Sequence, residues 1–93
     1  MEQIIFYGAG KYAAENIGRL EAEGLKPLCL ADADKNKHGT KLCGYDILPL
    51  EGAIEYYPDF MLYITLDHHN LKEATQYLLE SGIPKAALFI KEI

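Results

Sequence analysis

The sequence predicts a three-layer α/β domain: a doubly wound parallel sheet with helices on both faces. Two observations carry this. The runs "QIIFY", "KPLCLAD", "FMLYIT" and "AALFI" are apolar at successive positions, as strands buried on both faces of a parallel sheet are. Segments of helical periodicity alternate with them, and "LEAEGLKPLCL" and "LLESGIPKAALFI" share one grammar of helix, Gly, apolar residue, Pro and strand. Such joints belong to βαβ units.

Each element has its own signal. Gln3 to Tyr7 is the first strand, ended by Gly8. Lys11 to Glu23 reads as a helix, with Ala13, Ile17 and Leu20 on one stripe, widened by Ala14. Gly24 suits the position after its C-cap, followed by the apolar contact Leu25. Lys26 to Asp32 is the second strand, and "ADKNKHGTKL" a polar turn region. Tyr45 to Leu48 reads as a short edge strand, which Pro49 would end, and Leu50 to Tyr57 as a short helix. Phe60 to Thr65 is the next long strand. In the helix that follows, Asn70 and Glu73 match a capping box, and Gly82, Ile83 and Pro84 end it. Ala86 to Ile90 is the last strand. Right-handed crossovers then give a spatial strand order 3-2-1-4-5, with the first strand central.

The 93 residues suffice for one small domain, residues 1–93. A doubly wound sheet normally continues with a helix after its last strand. The expectation is therefore the N-terminal part of a longer protein, or else a partner chain over that face. The net charge of −5 argues against a general nucleic-acid binder. One basic cluster, Lys35, Lys37, His38 and Lys41, reads as a solvated loop or as a rim for an anionic ligand. No apolar run approaches the roughly 18 residues of a membrane span, and the opening residues read as a strand and not as a charged n-region followed by an apolar h-region. A cytoplasmic protein without membrane insertion is expected. Cys29 and Cys43 have no metal-ligand spacing and read as buried, reduced thiols.

The turn "YGAGKY" joins the first strand to the first helix. It is not a P-loop, because Ile5 and Tyr12 stand where that motif needs Gly and a hydroxyl. It fits the dinucleotide fingerprint G-x-G-x-x-[GA] as Gly8, Gly10 and Ala13. Gly8 would make the tight turn, Gly10 would admit a pyrophosphate, and Ala13 would let the helix lie close to the strand. The helix N-terminus and Lys11 would supply positive charge. Asp32 ends the second strand 22 residues after Gly10, where a carboxylate accepts from ribose hydroxyls, and Asp34 is a second candidate. A carboxylate at Asp32 disfavours a 2′-phosphate, and hence NADP. The competing reading is that the glycines serve only the geometry of an empty fold.

The other wall of the crevice should be the loop "TLDHHN", which brings Thr65, Asp67, His68 and His69 towards residues Gly8, Ala9, Gly10 and Lys11. His68 is a candidate ligand contact, although a surface-loop or helix-entry role suits the His pair better. Tyr12 could stack on a base or sugar, or pack in the core. No metal site and no nucleophile paired with a base is legible. The ligand-binding set is thus Gly8, Ala9, Gly10, Lys11, Tyr12, Asp32, Asp34, Thr65 and His68, with no catalytic residue.

Nearly the whole chain, from "IIFYGAGKYAAENIG" through "LADADKNKHGTKLCGYDILPLEG" to "FMLYIT", resembles the Rossmann-like N-terminal domain of bacterial surface-sugar enzymes. Such domains precede β-helix sugar acyltransferases, some sugar dehydratases and FkbM-type methyltransferases. Their pattern is a GAG turn, a strand ending in Asp, and D(N/D)(N/D)P-x-K-x-G-x-x-(I/L)-x-G-x-P-V. Asp32, Asp34, Lys35, Lys37, Gly39, Leu42, Gly44 and Ile47 carry it here, with Asp46-Ile47 in place of Pro-Val. The resemblance implies a bound UDP-sugar in acyltransferase-like members or NAD in dehydratase-like ones. It also implies a linked C-terminal catalytic transferase domain. A homo-oligomer and a ligand-free structural module are the other readings.

Overall fold

The computed structural model describes residues 3–90, apart from the side chains of His68 and Ile90. Among these residues the chain forms β1 (Gln3–Tyr7), α1 (Lys11–Ala22), β2 (Cys29–Ala31), β3 (Lys41–Leu42), β4 (Tyr45–Leu48), α2 (Leu50–Tyr56), β5 (Phe60–Ile64), α3 (His68–Glu80) and β6 (Leu88–Ile90). Short 3-10 turns lie at Lys35–Lys37 and Lys85–Ala87.

The six strands form one sheet in the order β3-β4-β2-β1-β5-β6. β1 pairs in parallel with β2 on one side and β5 on the other. β4 pairs in parallel with β2, and β6 with β5. Two expectations need correction. The sheet is mixed, because β3 runs antiparallel to β4, and β3 takes the edge expected for Tyr45–Leu48. The cause is the turn at Cys43 and Gly44, with φ 53° and 86°. Left-handed conformation at both central residues makes the tight two-residue hairpin whose twist matches its strands. Cys43 is consequently exposed rather than buried, whereas Cys29 is buried in β2.

Strand alternation divides the core in two. Ile4, Phe6, Leu30 and Ile47 face α1, which contributes Ala13, Ile17 and Leu20. Ile5, Tyr7, Cys29, Ala31, Leu62 and Ile64 face the opposite layer, where Leu50 and Ala53 of α2 and Leu78 of α3 cover them. Each large side chain buried this way contributes about 1.5–3 kcal/mol. The layers thus hold β1 rigidly between two packed faces, and with it the turn that leaves β1 at Gly8.

The helix ends are built alike. Gly24, at φ 91°, donates to the Glu21 carbonyl at 2.9 Å, and Leu25 donates to the Leu20 carbonyl at 2.9 Å. Gly82 and Ile83 repeat the pattern on the carbonyls of Leu79 and Leu78. In both, a left-handed glycine lets two amides turn back onto the last carbonyls, with an apolar contact closing the motif. α3 begins earlier than Asn70: Asp67 is its N-cap, and its carboxylate accepts from the Asn70 N–H at 3.2 Å. His68 and His69 therefore belong to the first helical turn and not to a loop.

Candidate functional site

The site is built at the carboxyl ends of β1, β2 and β5. Gly8 leaves β1 with φ 111° and donates to the Ala31 carbonyl at 2.8 Å. A Cβ there would stand 2.8 Å from Leu66 Cδ2 and 2.9 Å from the Thr65 carbonyl oxygen. Both its backbone angle and its neighbours require glycine. Thr65 closes the other side: its hydroxyl donates to the carbonyls of Tyr7 and Gly8 at 3.0 and 2.9 Å. Only 2% exposed, Thr65 fastens β5 to the turn and directs its hydroxyl into the protein.

Gly10 is different. Its φ is −97°, open to any residue, and a Cβ there would meet only Lys37 Nζ at 3.6 Å. Gly10 is the N-cap of α1 and supplies no side-chain cap, and the first turn of α1 holds no acidic residue. The first amides of a helix have no acceptor within it and carry its positive dipole end. Of the three α-helices among the described residues, only α3 has a side-chain cap, Asp67; α1 and α2 begin at Gly10 and Pro49 without one.

Asp32 faces this turn. Its Oδ2 accepts from the Ala9 N–H at 2.8 Å and its Oδ1 from the Asp34 N–H at 2.8 Å. Lys37 Nζ lies 3.6 Å from Oδ2, a pair in which the Asp32 side chain is 14% exposed. An ionised carboxylate has about four acceptor positions, so two backbone bonds leave Asp32 able to accept more. The turn at Lys35–Lys37 delivers Lys37, and the Asp34 carboxylate caps it by accepting from the Asn36 N–H at 3.0 Å. Behind it, His38 Nε2–H donates to the Asp32 carbonyl at 2.6 Å.

The candidates read from the sequence thus divide. Gly8, Ala9, Gly10 and Asp32 come together. Asp34 is adjacent, with its carboxylate used at the 3-10 turn. Lys11 is exposed and forms a 4.0 Å pair with Glu15 along the helix. Tyr12 is half-buried beside the turn. The side chain of His68 lies outside the described residues.

Two clefts flank Asp32. One, of about 310 Å³, lies between Tyr7 and α3 and is lined by Leu66, Asn70, Glu73 and Tyr77 among others. The second, of about 470 Å³, reaches towards α2 past Lys35, His38, Leu50 and Glu51. They share Tyr7, Asp32, Ala33 and Tyr77. Burial, reinforced by Tyr77 and Asp32, pushes the Tyr7 phenol up to about 12, so it stays protonated at neutral pH. Sequence reasoning left Asn70, Glu73 and Tyr77 out of the site. Their spacing with Ala74, at i, i+3, i+4 and i+7, marks one helix face and is the signal that could have found them.

No known family model matches this chain, and no curated protein matches it significantly. Among the described residues no helix is long and apolar enough to cross a membrane.

Proposed function

We propose that this Rossmann-like domain binds a nucleotide or nucleotide-sugar of the UDP-sugar kind and positions it for a linked transferase. The observation that carries the reading is the uncapped N-terminus of α1, facing Asp32 and Lys37 across the Gly8–Gly10 turn. The pyrophosphate would accept from the first amides of α1, with Lys37 and Lys11 adding charge. The remaining acceptor positions of Asp32 would take ribose hydroxyls and repel a 2′-phosphate. The chain's own part is binding and orientation. A cytoplasmic setting and a sugar-modifying catalytic domain belong to the same proposal.

Two other readings have support of their own. An NAD-binding domain of an oxidoreductase is favoured by Asp32 at the end of β2, where an acid accepts from an adenosine ribose. A ligand-free structural module is favoured by the Ala9–Asp32 bond, which satisfies a turn amide without any ligand. A thermal-shift screen of UDP, UDP-sugars, NAD, NADP and coenzyme A separates the three. A ligand that binds only the native state raises the midpoint. A rise with UDP or UDP-sugars is expected. A rise with NAD alone would favour the oxidoreductase, and no rise at millimolar ligand would leave the structural module.

A further inference from the structure

Resting on the nucleotide reading, we propose that the cleft between Tyr7 and α3 receives the uncharged ring of the ligand. Tyr77 is its stacking wall and Glu73 the acceptor for the ring's O–H or N–H donors. Leu66, Ala74 and the two tyrosine rings supply the apolar surface of this cleft, and Asp32, Asn70 and Glu73 its polar groups. A mostly apolar cleft with a few convergent polar groups, about 310 Å³ in volume, lies within the range of small-molecule sites.

Charge decides which part of the ligand enters. Neither Lys nor Arg is among the described residues that line the cleft, whereas Asp32 and Glu73 are. A phosphate there would meet two carboxylates and no cation. The phosphates are therefore assigned to Gly10 and Lys37, which lie beside each other and beside Asp32, and a neutral ring to the cleft. Donors on that ring find acceptors, since the Asn70 Nδ2–H is committed to Asp67 Oδ1 at 2.8 Å and leaves the amide oxygen to accept. Tyr77 is 47% exposed, a large aromatic surface whose burial by a ring is favourable. The Tyr7 phenol, kept protonated at neutral pH by burial, adds no further negative charge beside Asp32 and Glu73.

The ring is either the base or the sugar, and the probes distinguish them. Inorganic pyrophosphate, UDP and UDP-glucose are titrated calorimetrically into the wild-type chain, Tyr77→Ala and Glu73→Gln. Both positions are exposed on α3, so both variants should keep the fold. Aromatic stacking on a base supports an expected loss of about tenfold or more for Tyr77→Ala. That loss should appear for UDP if the base occupies the cleft, and for UDP-glucose alone if the sugar does. Pyrophosphate affinity should hold within about twofold, because no phosphate contact is removed. Equal affinities for all three probes in the wild type, or unchanged nucleotide affinities in both variants, would overturn the cleft assignment and leave the phosphate site standing. Wild-type binding of none of the three would overturn the nucleotide reading itself.

Discussion

The carboxylate of Asp32 accepts a 2.8 Å hydrogen bond from the amide of Ala9, 23 residues earlier in the chain. This bond ties the end of β2 to the glycine turn leaving β1. It holds an acid where a ribose would lie, while Lys37 at 3.6 Å offsets its charge. Asp32→Ala should therefore cost about 2–3 kcal/mol, because the buried Ala9 N–H loses a charged acceptor. Asp32→Asn keeps one acceptor and should cost about half as much. Urea unfolding of the two variants measures this, and equal stability of both with the wild type would contradict the assigned role.

Lys37→Ala should separate binding from folding. Its ion pair is partly exposed, and such pairs contribute about 0–1 kcal/mol. Stability should change little, while pyrophosphate and UDP should weaken by similar factors in calorimetric titrations. The loss should shrink as salt rises, since screening weakens an exposed charge contact.

The two glycines of the turn should respond very differently. Gly8→Ala forces a Cβ into a left-handed backbone and against the Thr65 carbonyl at 2.9 Å. Strain alone costs about 1–2 kcal/mol, and the backbone clash adds to it. Gly10→Ala meets nothing closer than 3.6 Å and should cost only about 0.5–1 kcal/mol, from the poorer N-cap propensity of Ala. Thermal melts of the pair test this.

High pH should destabilise the fold. The phenols of Tyr7 and Tyr45 are raised from 10.0 to about 12, Tyr7 chiefly by burial and Tyr45 chiefly by its hydrogen bond to Glu21. Burial, then Asp46, raises the Cys29 thiol from 9.0 to about 11. In each case the native state holds the proton more tightly than the unfolded chain. Stability is therefore fully present below about pH 9 and falls as pH rises towards 11 and 12. Melting temperatures from pH 7 upward should be flat and then decline, and Tyr45→Phe should make the decline shallower.

Much of the framework was legible because the long strands are continuous apolar runs and the helices carry a helical period, with their ends marked by Gly24 and Gly82. The missing strand β3 was hidden by its turn. An Asn-Gly pair announces such a hairpin, but Cys43 holds the left-handed position here, and cysteine gives no such signal. The start of α3 was displaced by one turn because Asp67 and Asn70 both have N-cap chemistry. The structure uses Asp67. Asp32 and the turn could be paired from spacing alone. The approach of Lys37 and the Tyr77 face of α3 depends on tertiary packing that no local pattern records.

In the proposed function the turn after β1 holds a ligand's phosphates. The most direct measurement is calorimetric titration of UDP into the wild-type chain and Gly10→Val. Gly10 has an extended backbone and an open Cβ position, so the variant should fold, with a loss of about 1 kcal/mol from the poorer N-cap propensity of Val that a thermal melt measures alongside. Its branched side chain would stand where a phosphate must approach the helix amides. The account predicts UDP binding by the wild type and a loss of at least about tenfold in the folded variant. Equal affinity in the two proteins would contradict it.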